Sequence, residues 1–162
     1  MATAIDILTK DHREVTSLLE ELENTDIEQL ETTDKETAPF RSKEDDFTKL
    51  KKLLNMHTRL EEEVFYPALA EFAETSILIQ TSYDEHQVLE ELLSDLSGLN
   101  PISEEWLELM AVLKENVDNH VAQEEDELFQ KAKTLLGEKR LDELGTEMEE
   151  MLSAGEAVSA AP

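Results

Sequence analysis

The 162-residue chain contains no cysteine. That excludes disulfides, thiolate metal sites and cysteine nucleophiles, and it fits a reducing compartment. Basic residues are scarce, with 14 Lys and Arg against 40 Asp and Glu, a formal net charge of −26. Such a chain repels nucleic-acid phosphates and anionic membranes, so neither is expected as a partner. It attracts cations, although most of its carboxylates are expected to sit on solvated helix faces. Aromatic residues are few, at 5%. No apolar run approaches the ~20 residues of a membrane span. The N-terminal Met1 to Asp6 lacks the basic start and apolar core of a secretory signal, and the chain is expected to be cytoplasmic. The length suits one domain with a sizeable core.

What the chain does have is helical periodicity. Ile5, Leu8, His12, Val15, Leu19 and Leu22 recur at spacings of three and four and predict a first helix to Glu23, capped by Thr3 or Asp6. A polar connection over 24–36 follows, with a short helical piece around Ile27 to Leu30, and it is long enough to lie across the surface as a flap. Thr37 and Pro39 open a second helix running to about Phe65, with the stripe Phe47, Leu50, Leu53 and Leu54, His57, Leu60, Glu61 and Val64. Pro67 is expected to end or bend it. A third helix starts at Thr75 or Ser76 and carries Ile79, Ser82 or Tyr83, His86, Leu89, Leu93 and Leu96, closing at Gly98 and Pro101. A fourth opens at Ser103, carries Trp106, Leu109 or Met110, Leu113, Val117, His120, Glu124 and Leu128, and stops at Gly137. No strand pattern is present. The expected fold is all-α, an antiparallel up-down-up-down four-helix bundle over residues 1–152 with a short fifth helix from Lys139 to Leu152. Residues 153–162 are expected to be a disordered tail.

The four histidines all fall on these apolar stripes, one per helix. With about three stripe positions in seven, chance places all four there roughly one time in thirty. In an up-down-up-down bundle three of them lie about 13–15 Å from one end, at 1.5 Å per residue, and the fourth within a turn or two. They therefore converge on one layer. Glu61 and Glu124 stand four residues after His57 and His120, one turn along the same face. Buried imidazoles need partners, and buried free carboxylates are costlier still; a cation satisfies both. Four nitrogens and two carboxylates without sulfur suit iron, manganese or zinc. If both carboxylates bridge two ions, the side chains fill eight of twelve octahedral positions. The Glu-x-x-His pairs of ferritin-like bundles are absent, since Thr9, Leu54, Tyr83 and Val117 stand three residues before the histidines.

Four segments in order carry a resemblance: Asp11-His12-Arg13-Glu14-Val15; His57-x-x-x-Glu61-Glu62 running to Phe65-Tyr66-Pro67; Glu85-His86-Gln87; and Asn116-Val117 through His120-x-x-x-Glu124-Glu125 to Leu128-Phe129. The chain resembles bacterial hemerythrin-like proteins of the HHE cation-binding family over roughly residues 3 to 150. The resemblance implies a non-haem centre of two iron ions with an oxo or hydroxo bridge, held by His12, His57, Glu61, His86, His120 and Glu124. Oxygen-carrying hemerythrins use five histidines, and this chain has four. Many relatives have paired histidines where it has Asn119-His120, and Phe-Pro where it has Phe129-Gln130. Glu90, Tyr83 or water are the candidates for the missing nitrogen. Glu62 and Glu125 are expected to accept hydrogen bonds near the site or to face solvent, and Tyr66 and Trp106 to be core.

The expected function is that of a di-iron protein whose open position meets O2, peroxide or nitric oxide. It either senses or holds its ligand or turns it over, with catalase-like, peroxide-reducing or nitric-oxide-reducing chemistry. No flavin or nicotinamide motif is present, so a reductase needs an external electron donor. The alternative is a structural or storage bundle holding a single ion such as zinc.

Overall fold

The computed structural model describes residues 1–24 and 38–159, the last three of these and residues 38–40 as backbone only. The expected flap with its short helical piece, the Thr37 cap and residues 160–162 lie outside the described residues. Helix α1 spans Ala4–Glu23 and begins with a capping box. The Thr3 hydroxyl accepts from the Asp6 N–H, and the Asp6 carboxylate accepts from the Thr3 N–H. Helix α2 covers Ala38–Leu60. It then widens into a π-helical segment, Glu61–Phe65, before one further α-turn, α3, at Tyr66–Leu69. Pro67 sits inside α3. It stands in the first turn of α3, where a missing N–H costs little, and the helix ends soon after it at Leu69.

A 3-10 turn at Ala73–Thr75 leads into α4, Ser76–Ser97, which closes at Gly98. Helix α5 runs over Glu104–Gln123, with the Ser103 hydroxyl accepting from the Trp106 N–H. It too passes into a π segment, Glu124–Leu128, and then into α6, Phe129–Ser159. Gly137 breaks α6 with φ 72°, a backbone region that glycine enters freely. The part after the break is the expected fifth helix. It is longer than expected, continuing as backbone past Leu152 to Ser159. Residues 153–159 contain no proline, and Gly155 lies against the Met56 side chain. Gly145 packs on the backbone of Ala2 and its neighbours, where any Cβ would overlap the Ala2 carbonyl.

There is no strand among the described residues, and no helix there is long and apolar enough to cross a membrane. Helix α1 packs on α2, α5 and α6, and α4 on α5, while the seam between α2 and α4 is sparse. The core is in two parts. One contains Leu8, Leu60, Phe65, Leu69, Leu128, Phe129 and Met148. The other contains Val15, Leu19, Leu50, Leu93, Trp106 and Leu113. On each of α1, α2, α4 and α5 a buried histidine falls between the two parts: His12 after Leu8, His57 before Leu60, His86 before Leu89 and His120 after Val117.

Candidate metal centre

The helical period puts His12, His57, His86 and His120 at one level, and all four are buried. They meet in two pairs. His12 Nε2 is 3.1 Å from His57 Nε2, and His86 Nε2 is 3.2 Å from His120 Nε2. Glu61 lies between the pairs, with Oε1 3.0 Å from His57 Nε2 and Oε2 3.0 Å from His86 Nε2. Glu124 also reaches both, with Oε2 3.3 Å from His12 Nε2 and 3.5 Å from His120 Nε2. Both carboxylates are fully buried. The ligand-bearing atoms form two groups, His12, His57, Glu61 and Glu124 in one and Glu61, His86 and His120 in the other, each within 4.8 Å. All six residues expected at the site are thus brought together.

Each ring is held from outside by a carboxylate on its other nitrogen. Glu125 is 2.9 Å from His12 Nδ1, Asp11 is 3.3 Å from His57 Nδ1, Glu62 is 2.7 Å from His86 Nδ1 and Glu85 is 2.7 Å from His120 Nδ1. An ionised carboxylate only accepts, so each Nδ1 carries a hydrogen, and a neutral ring would present its Nε2 lone pair inward. Four lone pairs would then face one another and two buried carboxylates, acceptor against acceptor. Glu61 Oε1 and Glu124 Oε2 have no hydrogen-bond partner, despite the imidazole nitrogens at ion-pair distance. Positive charge at that centre would satisfy these acceptors together. Paired nitrogens about 3 Å apart are also spaced as neighbouring ligands of one ion, given metal–nitrogen bonds of about 2.0–2.1 Å. The residues fit a cation.

Without metal, protons supply the charge. Burial alone would push the His57 imidazole down, but the Glu61 charge and hydrogen bonds to Asp11 and Glu61 outweigh it and lift it to about 10. His120 behaves likewise: burial opposes its charged form, yet Glu124 and Glu61 hold it well above the usual histidine range. Burial would raise the Glu61 carboxyl, but His57 and the hydrogen bonds to His120 and His86 bring it well below its ordinary value. Burial and then the Glu61 charge push Glu124 up.

Tyr66, expected as core, has its ring buried but its hydroxyl in the centre. It donates to Glu124 Oε1 at 2.7 Å and lies 3.3 Å from both Glu61 Oε2 and His86 Nε2. Burial, followed by the charges of Glu61 and Glu124, holds the phenol protonated well above 10. The π segment explains the miss: the Tyr66 N–H bonds to the Glu61 carbonyl five residues back. Uniform α spacing carries no hint of that widened turn. Trp106 is core as expected, edge-on to Phe47 with Lys43 over its face. Glu62 and Glu125 accept from the histidines as expected. The other two outer acceptors, Asp11 and Glu85, lie inside the quoted motif segments but carried no role there. Glu90 and Tyr83 are exposed and stand outside the two groups. Tyr83 instead rests edge-on against Tyr66, ring centroids 5.3 Å apart.

Phe129 stacks on the His12 ring at 5.7 Å, and Phe65 meets Phe129 edge-on, so apolar rings close one side of the centre. On the sparse α2–α4 seam an open cleft of about 710 Å³ reaches His86, lined among others by Thr58, Arg59, Glu62, Tyr83 and Glu90.

A family model described as the hemerythrin HHE cation binding domain matches residues 3–132. A DNA nickase from Nostoc sp. is 28% identical over 142 residues, which are 88% of this chain but 37% of that protein. The chain thus spans little over a third of that relative. A crystal structure of a hemerythrin HHE cation-binding domain-containing protein from Mycobacterium kansasii superposes with a TM-score of 0.78, covering 98% of this chain and 91% of that one at 20% identity. That likeness concerns the fold.

Proposed function

The chain belongs to the hemerythrin HHE cation-binding family, and from that premise we propose that it is a non-haem di-iron protein acting on O2, peroxide or nitric oxide. The carrying observation is the set of four inward Nε2 atoms around two buried carboxylates, divided into two groups that share Glu61. His12 and His57 would hold one ion and His86 and His120 the other, with Glu61 and Glu124 serving both. Two groups rather than one favour two ions over a single structural zinc. When bound, iron supplies the electrons and the open position for the small molecule.

The protein's own contribution is positional. Asp11, Glu62, Glu85 and Glu125 fix the ring tautomers. Phe65 and Phe129 exclude water from one side. The cleft beside His86 admits small molecules. Tyr66 keeps a proton 2.7 Å from Glu124, inside the centre. The Nostoc relative's name describes a protein mostly outside the matched region, and a net charge of −26 opposes phosphate contact, so action on DNA is not proposed here.

The test is metal content by mass spectrometry, with an ultraviolet–visible spectrum, on protein purified without added metal. Two irons per chain with near-ultraviolet charge-transfer bands support the reading. One zinc with a featureless spectrum, persisting after anaerobic iron loading, overturns it.

A further inference from the structure

The chain has two tyrosines, and they touch each other. Tyr66 is fully buried with its hydroxyl in the centre, and its ring lies 5.6 Å from that of His86. Tyr83 is 38% exposed and lines the cleft. Ring centroids 5.3 Å apart at 72° put the two in edge-to-face contact. Together they make one unbroken aromatic line from the centre to solvent. Tyr83 is not there to fill the bundle. The inward position of its turn is taken by Ser82, which is 1% exposed. The tryptophan lies elsewhere, among the residues of the other core part.

We propose that Tyr66 and Tyr83 form an electron relay, with Tyr83 as its solvent-facing terminus. The relay rests on the di-iron reading of the centre. Reducing one peroxide to two waters takes two electrons and two protons. A centre holding one ferrous ion would have a single electron to offer, and the second would come from the tyrosines. Tyr66 gives up an electron as its phenolic proton shifts to Glu124 along their hydrogen bond. An electron from Tyr83 refills Tyr66, and the proton returns. The phenolic proton of Tyr83 passes to water at the surface, and bulk water supplies the other proton consumed. The net loss is one electron and one proton from Tyr83, leaving a neutral phenoxyl radical in the cleft. Two such radicals on separate chains join by one carbon–carbon bond between ortho carbons into dityrosine, each ortho hydrogen moving as a proton to the phenoxyl oxygen so that both phenols are restored. Alternatively, a one-electron reductant of the ascorbate class restores the phenol. The oxidising equivalent thus leaves the centre without damaging its ligands.

The experiment uses the full chain, iron-loaded and then partly reduced, mixed with hydrogen peroxide. It is read by freeze-quench electron paramagnetic resonance and by peptide mass spectrometry. A tyrosyl radical and chains cross-linked at residue 83 are expected, both absent without iron. Tyr83→Phe, with iron content and melting temperature unchanged, is expected to lose the cross-link and leave the radical on Tyr66. Tyr83→Trp is expected to restore the exit, with oxidised tryptophan at 83. An iron-loaded protein that consumes peroxide without oxidation at residue 83 overturns the relay and leaves the di-iron reading standing. A radical yield and cross-linking unchanged in Tyr83→Phe do the same. Failure to hold iron overturns both together.

Discussion

Raising the pH should destabilise the metal-free protein and spare the iron-loaded one. In the metal-free chain His57 is lifted from 6.5 to about 10. A group whose folded-state value is raised contributes stability that is fully present below its unfolded value and is lost as pH climbs through the folded one. The window is therefore 6.5 to 10, a rise of 3.5. At about 1.4 kcal/mol per pH unit, the total is of order 5 kcal/mol. For a chain of this size each kcal/mol moves the melting temperature by about 2–4 °C, so the fall should be about 10–20 °C. His120, also raised, adds in the same direction. Bound metal replaces those protons, so it should bind more tightly as pH rises and cancel the slope. The assay is thermal melting by circular dichroism across pH 6.5 to 10, with and without iron, beside Glu61→Gln, which should flatten the metal-free slope. A metal-free melting temperature that stays constant or climbs over that window refutes the reasoning.

Glu85→Ala removes the acceptor on His120 Nδ1 and should weaken metal binding about 10–100-fold, read by competition with a chelator. Leu19→Ala opens a hole in the core remote from the fifth helix and should cost about 2–5 kcal/mol in chemical denaturation, with metal stoichiometry unchanged. Gly145→Ala forces a Cβ into the Ala2 backbone and should cost about 1–3 kcal/mol by the same assay; an unchanged midpoint would show that the N-terminus yields freely.

The sequence reveals the bundle and the six inward residues because both follow from one regularity, the 3.6-residue period. Thr3, Ser103, Gly98 and Gly137 mark helix ends by local chemistry and are legible for the same reason. Tyr66 is not, because its place depends on a turn that abandons the period. Asp11 and Glu85 each precede a histidine by one residue, and neighbours in sequence do not face each other on a helix. Their partners are histidines of other helices, His57 and His120, so only the packed bundle reveals the pairing. Tyr83 was legible as an alternative to Ser82 on the α4 stripe, but choosing between them needs the actual rotation of the helix.

Both widened turns begin on the inward carboxylates, Glu61 and Glu124. Each holds one residue more than an α-helix needs, and a residue is worth about 100° of rotation. Were the first turn to close to α geometry with all its residues kept, everything after it would swing by about that angle relative to His57. Tyr66 would leave the centre, and the apolar face of α3 would turn out of its core, with no change in composition. The arrangement of this centre is therefore encoded in how a count of residues is wound as well as in their kinds.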